Sequence, residues 1–203
     1  AASDVYKRQQ VTGLSSTPPH VDVAVTEDLL QRKITGTFSD PSVFDSLHSY
    51  LGYVEAAPPV ALSVIAVQNR EGIIVKITDV LHVEPALPSS WSERLRELAG
   101  LGQNWLHPGS EPPSNETVER VERILLATLD AEVPAPAIYP SGDGGIQLEW
   151  RTSSRAVEVE ILNSGPIEAS WYGRSSDEDG EDRSFHDDDP DGVADFVKDA
   201  ISE

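Results

Sequence analysis

Hydrophobic and polar positions alternate along much of residues 21–88, a pattern typical of strands. Over 21–25, three valines are separated by other residues, as in a strand with one buried face. Alternation or a near-continuous apolar run predicts further strands over 34–38, 60–67 and 73–83. A short helix is predicted over 43–51, where apolar residues recur at helical spacing. This order of elements favours the later part of a small antiparallel barrel or roll.

The pattern changes after residue 88, where helical spacing comes first and alternation returns later. The predicted elements are a helix over 90–99, a helix from Ser114 or Asn115 to 129, strands over 137–139, 146–150, 157–161 and 167–171, and a helix over 190–201. Ser141 to Gly145 predict a hairpin turn, since a phosphate-binding loop needs a helix after it and a strand follows here. Ile146, Leu148 and Trp150 alternate with polar residues. We expect an antiparallel meander whose apolar face packs on two helices.

These patterns together predict an α+β protein with two domains. Residues 10–88 form a β-rich, barrel-like or roll-like domain that is truncated at its N-terminal side. Residues 89–203 form an α+β domain that ends in an acidic segment, 175–203. Acidic side chains in the strands, such as Glu149, Glu158 and Glu160, occupy the polar half of the alternation. The wet face of a sheet explains them more simply than a catalytic carboxylate pair does.

Residues 1–9 are interpreted as foreign to the protein. Their sequence, AASDVYKRQ, can be translated in frame from the adapter and transposon end used to fragment DNA for sequencing. Segments of this origin are set aside before the fold is considered. We therefore expect the natural N-terminus to be absent from this chain.

Composition excludes several classes of function. The chain has 203 residues, with 15 basic against 35 acidic side chains, a net charge of −20 and no cysteine. Without cysteine there is no disulfide framework, thiolate nucleophile or cysteine-based metal site. No apolar run approaches the length of a transmembrane helix. The net charge argues against nucleic acid or an anionic membrane as the main partner, and half of it lies in 175–203.

The second half resembles an uncharacterised family of bacterial proteins. The resemblance is carried by Asn104-Trp105-Leu106, Pro136, Tyr139-Pro140 and, most specifically, the strand from Asp143 to Trp150, DGGIQLEW. It spans about residues 95–203, and the β-rich region before it looks like the partner domain seen in such proteins. Relatives often have Asp where Leu106 or His107 stands here. The family has no established activity, so the resemblance assigns no functional residue.

The acidic run before the last predicted helix is the strongest metal candidate. Asp187, Asp189 and Asp191, with Gly192, match the opening of a calcium-binding loop. The glutamate that completes such a loop falls at Lys198, and Pro190 stiffens the segment. A solvated acidic helix start therefore explains the run better, since carboxylates favour a helix N-terminus. We expect no metal and no cofactor, with weak binding of Ca²⁺ or Mg²⁺ as the alternative.

Candidate partner-binding residues lie in two other places. Trp105 and His107 fall in a loop rich in proline and glycine, where an exposed aromatic side chain suits a protein interface. The alternatives are structural docking of the loop onto the second predicted helix through Trp105 and a surface role for His107. The acidic segment contributes Asp177, Glu178 and Asp179.

The leading hypothesis is a non-catalytic, cytoplasmic bacterial protein that binds other proteins through an acidic surface. Such a surface attracts a basic partner, as an inhibitor, immunity factor, antitoxin or adaptor does. The alternative is a metal-dependent or acid–base hydrolase that uses the Asp187–Asp191 run, His186 and the Trp105–His107 loop. A nucleic-acid-binding β domain is disfavoured because the first domain is acidic and lacks a basic aromatic groove.

Overall fold

A computed structural model of the chain describes residues 3–27, 30–50, 59–71, 73–173, 180–186 and 189–202. The chain divides into two compact units, Ala1–Ser89 and Ser90–Glu203. Each unit contains one five-stranded antiparallel sheet, so the predicted α+β class is confirmed. The helices within the described residues are too short or too polar to cross a bilayer.

In the described residues, the first unit has five strands and one helix. Their bounds are β1 Ser3–Ser16, β2 Pro19–Glu27, β3 Leu30–Gly36, α1 Pro41–Ser49, β4 Val60–Gln68 and β5 Ile74–Pro85. The described part of the second unit has three helices and five strands. Their bounds are α2 Ser89–Ala99, α3 Asn115–Asp130, β6 Ala137–Pro140, β7 Ile146–Arg151, β8 Arg155–Ile161, β9 Ile167–Gly173, β10 Glu181–Phe185 and α4 Pro190–Ser202.

Strand β1 lies at the centre of the first sheet, whose strand order is β3-β2-β1-β4-β5. Most of the segment interpreted as adapter falls in this strand, where Ser3 to Tyr6 pair with Leu62 to Ile65 of β4. The alternation predicted the other four strands of this sheet but not β1, whose residues 3–9 lie in the segment interpreted as adapter and whose residues 10–16 were assigned to no strand. The interpretation of their origin stays a prediction.

Within the described residues the first sheet is open, so of the two predicted alternatives, a barrel or a roll, the barrel was wrong. Strands β3 and β5 are its two edges. A backbone hydrogen bond links β5 to the residue that follows β3, where the Val80 amide donates to the Thr37 carbonyl at 3.0 Å. Helix α1 then begins at Pro41, capped by the Asp40 side chain, which accepts from the Ser42 amide. The chain leaves the sheet there before a ladder between β3 and β5 can form.

The core of the first sheet depends on a close approach between β3 and β5. A Cβ at Gly36 would lie 2.8 Å from Cγ2 of Ile77. Strand β5 also shifts register against β4 at three places, and its buried residues recur at every third position: Ile74, Ile77, Val80 and Val83. Repeated irregularities of this kind bend a strand and increase its twist. The first sheet therefore curls around its own apolar side chains and α1.

The second sheet is a simple meander with strand order β10-β9-β8-β7-β6 and no register shift in its ladders. Helices α3 and α4 contact each other and strand β8, and α3 also contacts β7. Ser114 caps α3 by accepting from the Thr117 amide, as predicted. Helix α2 lies beside edge strand β6, where Arg94 Nε donates to the Ile138 carbonyl at 3.1 Å.

The apolar face predicted for the meander is buried. Leu148 and Val159 have no exposed surface, and Trp150 is 3% exposed. Trp171 is only half-buried, with the Arg155 guanidinium 4.2 Å above its ring. Strand β10 was missed because its sequence, EDRSF, has a single apolar residue. Its Phe185 packs edge-on against Phe196 of α4.

Candidate functional site

The outer face of the second sheet carries an array of carboxylates. The apolar residues of β7, β8 and β9 point towards helices α3 and α4, so the alternate residues point to the opposite side. Because the ladders keep one register throughout, residues paired across strands share a face and form rows. Polar residues that are paired across neighbouring strands therefore form a line across the sheet.

Two such rows are dominated by acidic residues. The first consists of Gln147, Glu160, Glu168 and Ser184. The second consists of Glu149, Glu158, Ser170 and Asp182. We call the five carboxylates of these rows the acidic sheet face: Glu149, Glu158, Glu160, Glu168 and Asp182. Two pairs of glutamates stand directly opposite each other across strands, an arrangement that destabilises a sheet.

Hydroxyl groups donate to two of these carboxylates. The Tyr172 hydroxyl donates to Oε1 of Glu158 at 2.8 Å, and the Ser184 hydroxyl donates to Oε2 of Glu168 at 2.6 Å. The bond to Glu158, more than partial burial, raises the pKa of the Tyr172 hydroxyl. These bonds orient the carboxylates without neutralising them, so the face keeps its negative charge.

Arg151 is the one basic residue on this face among the described strands. Its guanidinium donates from Nε at 2.8 Å and from Nη2 to the same oxygen, Oε1 of Glu149. The hydrogen bond and the charge of Glu149 raise the pKa of Arg151. Glu149 is 8% exposed, whereas the Arg151 side chain is largely in solvent. One positive charge therefore balances one of five negative charges.

Four of the five carboxylates surround a depression of about 250 Å³. Its wall includes Gln147, Glu158, Glu160, Glu168, Ser170 and Asp182. A concave surface lined by one sign of charge concentrates the electrostatic potential and attracts groups of opposite charge. Its four carboxylates make this depression strongly negative.

The loop containing Trp105 and His107 is tightly hydrogen-bonded. The buried Ser110 hydroxyl accepts from the Leu106 amide at 3.1 Å and donates to the His107 carbonyl at 2.9 Å. The Trp105 indole donates to the Glu111 carbonyl at 3.0 Å, so its polar atom is used inside the loop. Leu106, 60% exposed, is the apolar side chain that the loop presents to solvent.

His107 lies against the turn between β6 and β7. Its Nε2 would be 3.2 Å from a Cβ at Gly142. In that turn Asp143 accepts from the Ser141 hydroxyl and the Gly145 amide, which hold the pKa of its carboxyl below the usual range. Strand β7 follows directly, as the hairpin interpretation predicted. The structure does not decide whether Trp105 or His107 binds a partner, and that role stays a prediction.

The other candidate residues are only partly covered by the structure. Asp187 and the segment Asp177, Glu178 and Asp179 lie outside the described residues. Asp189 caps helix α4, since its Oδ1 accepts from the Gly192 amide at 3.0 Å. Asp191 is exposed in the first turn of that helix. In the described ranges, histidine and acidic residues form no group of three or more that could hold a metal ion.

Sequence reasoning recognised only part of the acidic sheet face. The alternation placed Glu149, Glu158 and Glu160 on the wet side of the sheet. Glu168 could have been found in the same way, since it lies between the inward-facing Ile167 and Ala169. Asp182 could not, because no apolar alternation marks β10.

Comparison with protein-family models, with curated proteins and with solved structures gives no match to this chain. The resemblance to a bacterial family therefore stays a prediction, and the function has to be argued from the acidic sheet face itself.

Proposed function

We propose that this protein is a binding protein whose acidic sheet face docks a basic protein partner. One observation carries the proposal: five carboxylates lie in two rows on the outer face of the sheet, where Arg151 is the one basic residue among the described strands. Directly opposed glutamates cost stability, and a basic partner relieves that repulsion on binding.

The geometry favours docking over catalysis. Glu158, Glu160, Glu168 and Asp182 line the depression from the outer face of the sheet, where the side chains of a partner can approach them. Arginine and lysine side chains reach such carboxylates from a partner's surface, and complementary charge accelerates their association. An inhibitor, immunity factor, antitoxin or adaptor works in this way. As part of the proposal, the protein acts in the bacterial cytoplasm without nucleic acid or a membrane as its main partner.

The test is binding of a basic peptide to the acidic sheet face. A peptide of alternating arginine and glycine, followed by fluorescence anisotropy, is expected to bind the protein and to dissociate as salt is raised. Replacing Glu158, Glu160 and Glu168 with glutamine is expected to weaken binding at least tenfold.

The matched control removes three charges elsewhere in the same unit. Glu116→Gln, Glu119→Gln and Asp130→Asn lie on α3, which covers the opposite face of the sheet, and all three residues are exposed. This variant is expected to lose less than threefold in affinity. Equal losses in the two triple variants contradict a defined docking face and indicate only general attraction by net charge.

A further inference from the structure

Strand β10 forms one edge of the second sheet and pairs with β9 alone among the described strands. Four of its five residues are exposed, and Phe185 is the buried one. Along an antiparallel edge strand, every second residue directs its amide and carbonyl groups away from the neighbouring strand. No hydrogen bond from another described segment reaches these groups of β10. Within the described residues, this edge is therefore open to a further strand.

The opposite edge of the same sheet is partly covered. Arg94 of α2 donates to the Ile138 carbonyl of β6, and the strand ends at Pro140, which has no amide hydrogen. A proline, a bulge or a covering segment commonly protects a sheet edge from pairing with another chain. Strand β10 contains no proline, its ladder with β9 has no register shift, and no described segment covers its edge. Charge is what distinguishes this edge.

The charge on the outer side of β10 selects the strand that can pair with it. Asp182 and Ser184 end the two rows of the acidic sheet face, so a strand added to β10 extends each row by one position. Opposite charges that face each other across strands stabilise a ladder, and like charges destabilise it. A basic strand therefore suits this edge. A second copy of this acidic chain would instead bring its own carboxylates against the rows.

The inner side of β10 has a paired charge. Nη2 of Arg183 donates to Oε1 of Glu181 at 2.6 Å, and the same guanidinium lies 5.1 Å from the ring centre of Phe196 in α4. A positive residue of an added strand gains less beside this pair than beside the rows of the outer face. The two sides of the edge thus favour a strand in which basic and uncharged residues alternate.

We propose that an extended segment of the basic partner adds to β10 as a sixth strand, with its basic side chains on the outer face of the sheet. This inference rests on the proposed function and specifies how the partner is held. In this mode of recognition, backbone hydrogen bonds supply affinity and alternate side chains supply specificity. Uncharged residues at the other positions of the segment lie beside Glu181 and Arg183.

Two N-methylated forms of one peptide test the inference. The peptide alternates arginine and valine, and β-branched residues favour an extended strand. One form carries N-methyl groups on its arginines and the other on its valines. Each form lacks amide donors along one edge only, so just one of them can still pair fully with β10. By calorimetry with the whole protein, the other form is expected to bind roughly tenfold more weakly or worse.

Hydrogen exchange of the protein supplies the second measurement. The β10 amides that face away from β9 are expected to exchange rapidly in the free protein. The unmethylated peptide is expected to slow their exchange by roughly tenfold or more, because they then donate to its carbonyls. The amides of β6, at the opposite edge of the sheet, are the control and are expected to keep their exchange rates.

The outcomes separate this inference from the proposed function. Equal affinities of the two methylated forms, with unchanged exchange in β10, overturn strand addition and leave the proposed function standing, since side chains alone then hold the peptide. Protection of all β10 amides in the free protein also overturns strand addition, because a second copy or another segment of this chain then occupies the edge. Absence of binding by the unmethylated peptide overturns both proposals.

Discussion

The two sheets of this molecule have five antiparallel strands each, but their ladders differ in regularity. In the first sheet β5 shifts register three times against β4, and the sheet curls around its own core. In the second sheet no ladder shifts, and the outer side chains stand in straight rows. A bulged sheet encloses apolar residues, whereas a regular one presents a repeated chemical group on its open face. That difference places the proposed docking surface on the second sheet.

The two sheets also differ in how their carboxylates are paired with basic side chains. On the first sheet Asp22 accepts from Lys33 Nζ at 2.8 Å and from the Thr35 hydroxyl at 2.7 Å. On the second sheet five carboxylates share one arginine. The Asp22–Lys33 pair on the first sheet supports the fold, whereas the opposed glutamates on the second sheet destabilise it. An excess of negative charge on one face of a sheet is expected where a partner supplies the missing positive charge.

The largest expected effect is a difference in the free energy of unfolding between substitutions on the two faces of the second sheet. Leu148→Ala opens a cavity at a position with no exposed surface and is expected to lower the free energy of unfolding by about 2–5 kcal/mol. Gln147→Ala, on the outer face, is expected to change it by less than about 0.5 kcal/mol. Urea unfolding followed by tryptophan fluorescence measures both, since all four tryptophans lie in the second unit. Similar losses in both variants contradict the assignment of inner and outer faces.

The second-largest expected effect tests the close approach of β3 to β5 in the first sheet. Gly36→Ala places a methyl group 2.8 Å from Ile77 and is expected to destabilise the first unit by about 1–3 kcal/mol. Hydrogen exchange of the β5 amides is expected to accelerate accordingly. Gly102→Ala is the control, because a Cβ there meets nothing within 4 Å. Unchanged β5 exchange in Gly36→Ala shows that β3 and β5 do not approach each other closely.

Much of this contrast was predictable from the sequence, and part of it was not. Alternation predicted the inward-facing Leu148, Trp150 and Val159, because a two-residue period can be recognised within a single strand. Alternation within single strands could not predict that the first sheet is open. Closure depends on pairing between β3 and β5, which lie far apart in the sequence. The rows of the acidic sheet face depend on register between strands, which alternation within one strand does not fix. Alternation also assigned Trp150 to the core, but the segments that pack beside it cannot be identified from one strand.

A smaller effect concerns the paired charge of the first sheet. The hydrogen bonds from Lys33 and Thr35 lower the pKa of Asp22. A carboxyl with a lowered pKa stabilises the fold above its unfolded pKa near 3.8, and this contribution disappears as the pH falls through its folded pKa. Asp22→Asn is therefore expected to cost up to about 1 kcal/mol at pH 7, and less as the pH falls below 4. A cost that does not change with pH, in acid-titration unfolding experiments, contradicts a charge-based role.

The smallest effect has the opposite sign and concerns the unpaired charge of the second sheet. Glu160 stands directly opposite Glu168. Glu160→Gln is expected to raise the free energy of unfolding by a few tenths of a kcal/mol at low salt, because it removes one like-charge contact. The gain is expected to shrink at high salt, where exposed charges are screened. A loss of stability in thermal unfolding at low salt shows that the face is not under electrostatic repulsion.

The most direct test of the docking surface is to locate a bound basic peptide on the protein. NMR spectra of the isotope-labelled chain, titrated with the arginine–glycine peptide, report which amides change their environment. The largest shifts are expected on the outer-face positions of β7, β8, β9 and β10, including Glu158, Glu160 and Glu168, with small shifts on helix α3. Shifts spread evenly over acidic positions of both units, or concentrated on α3, would contradict it.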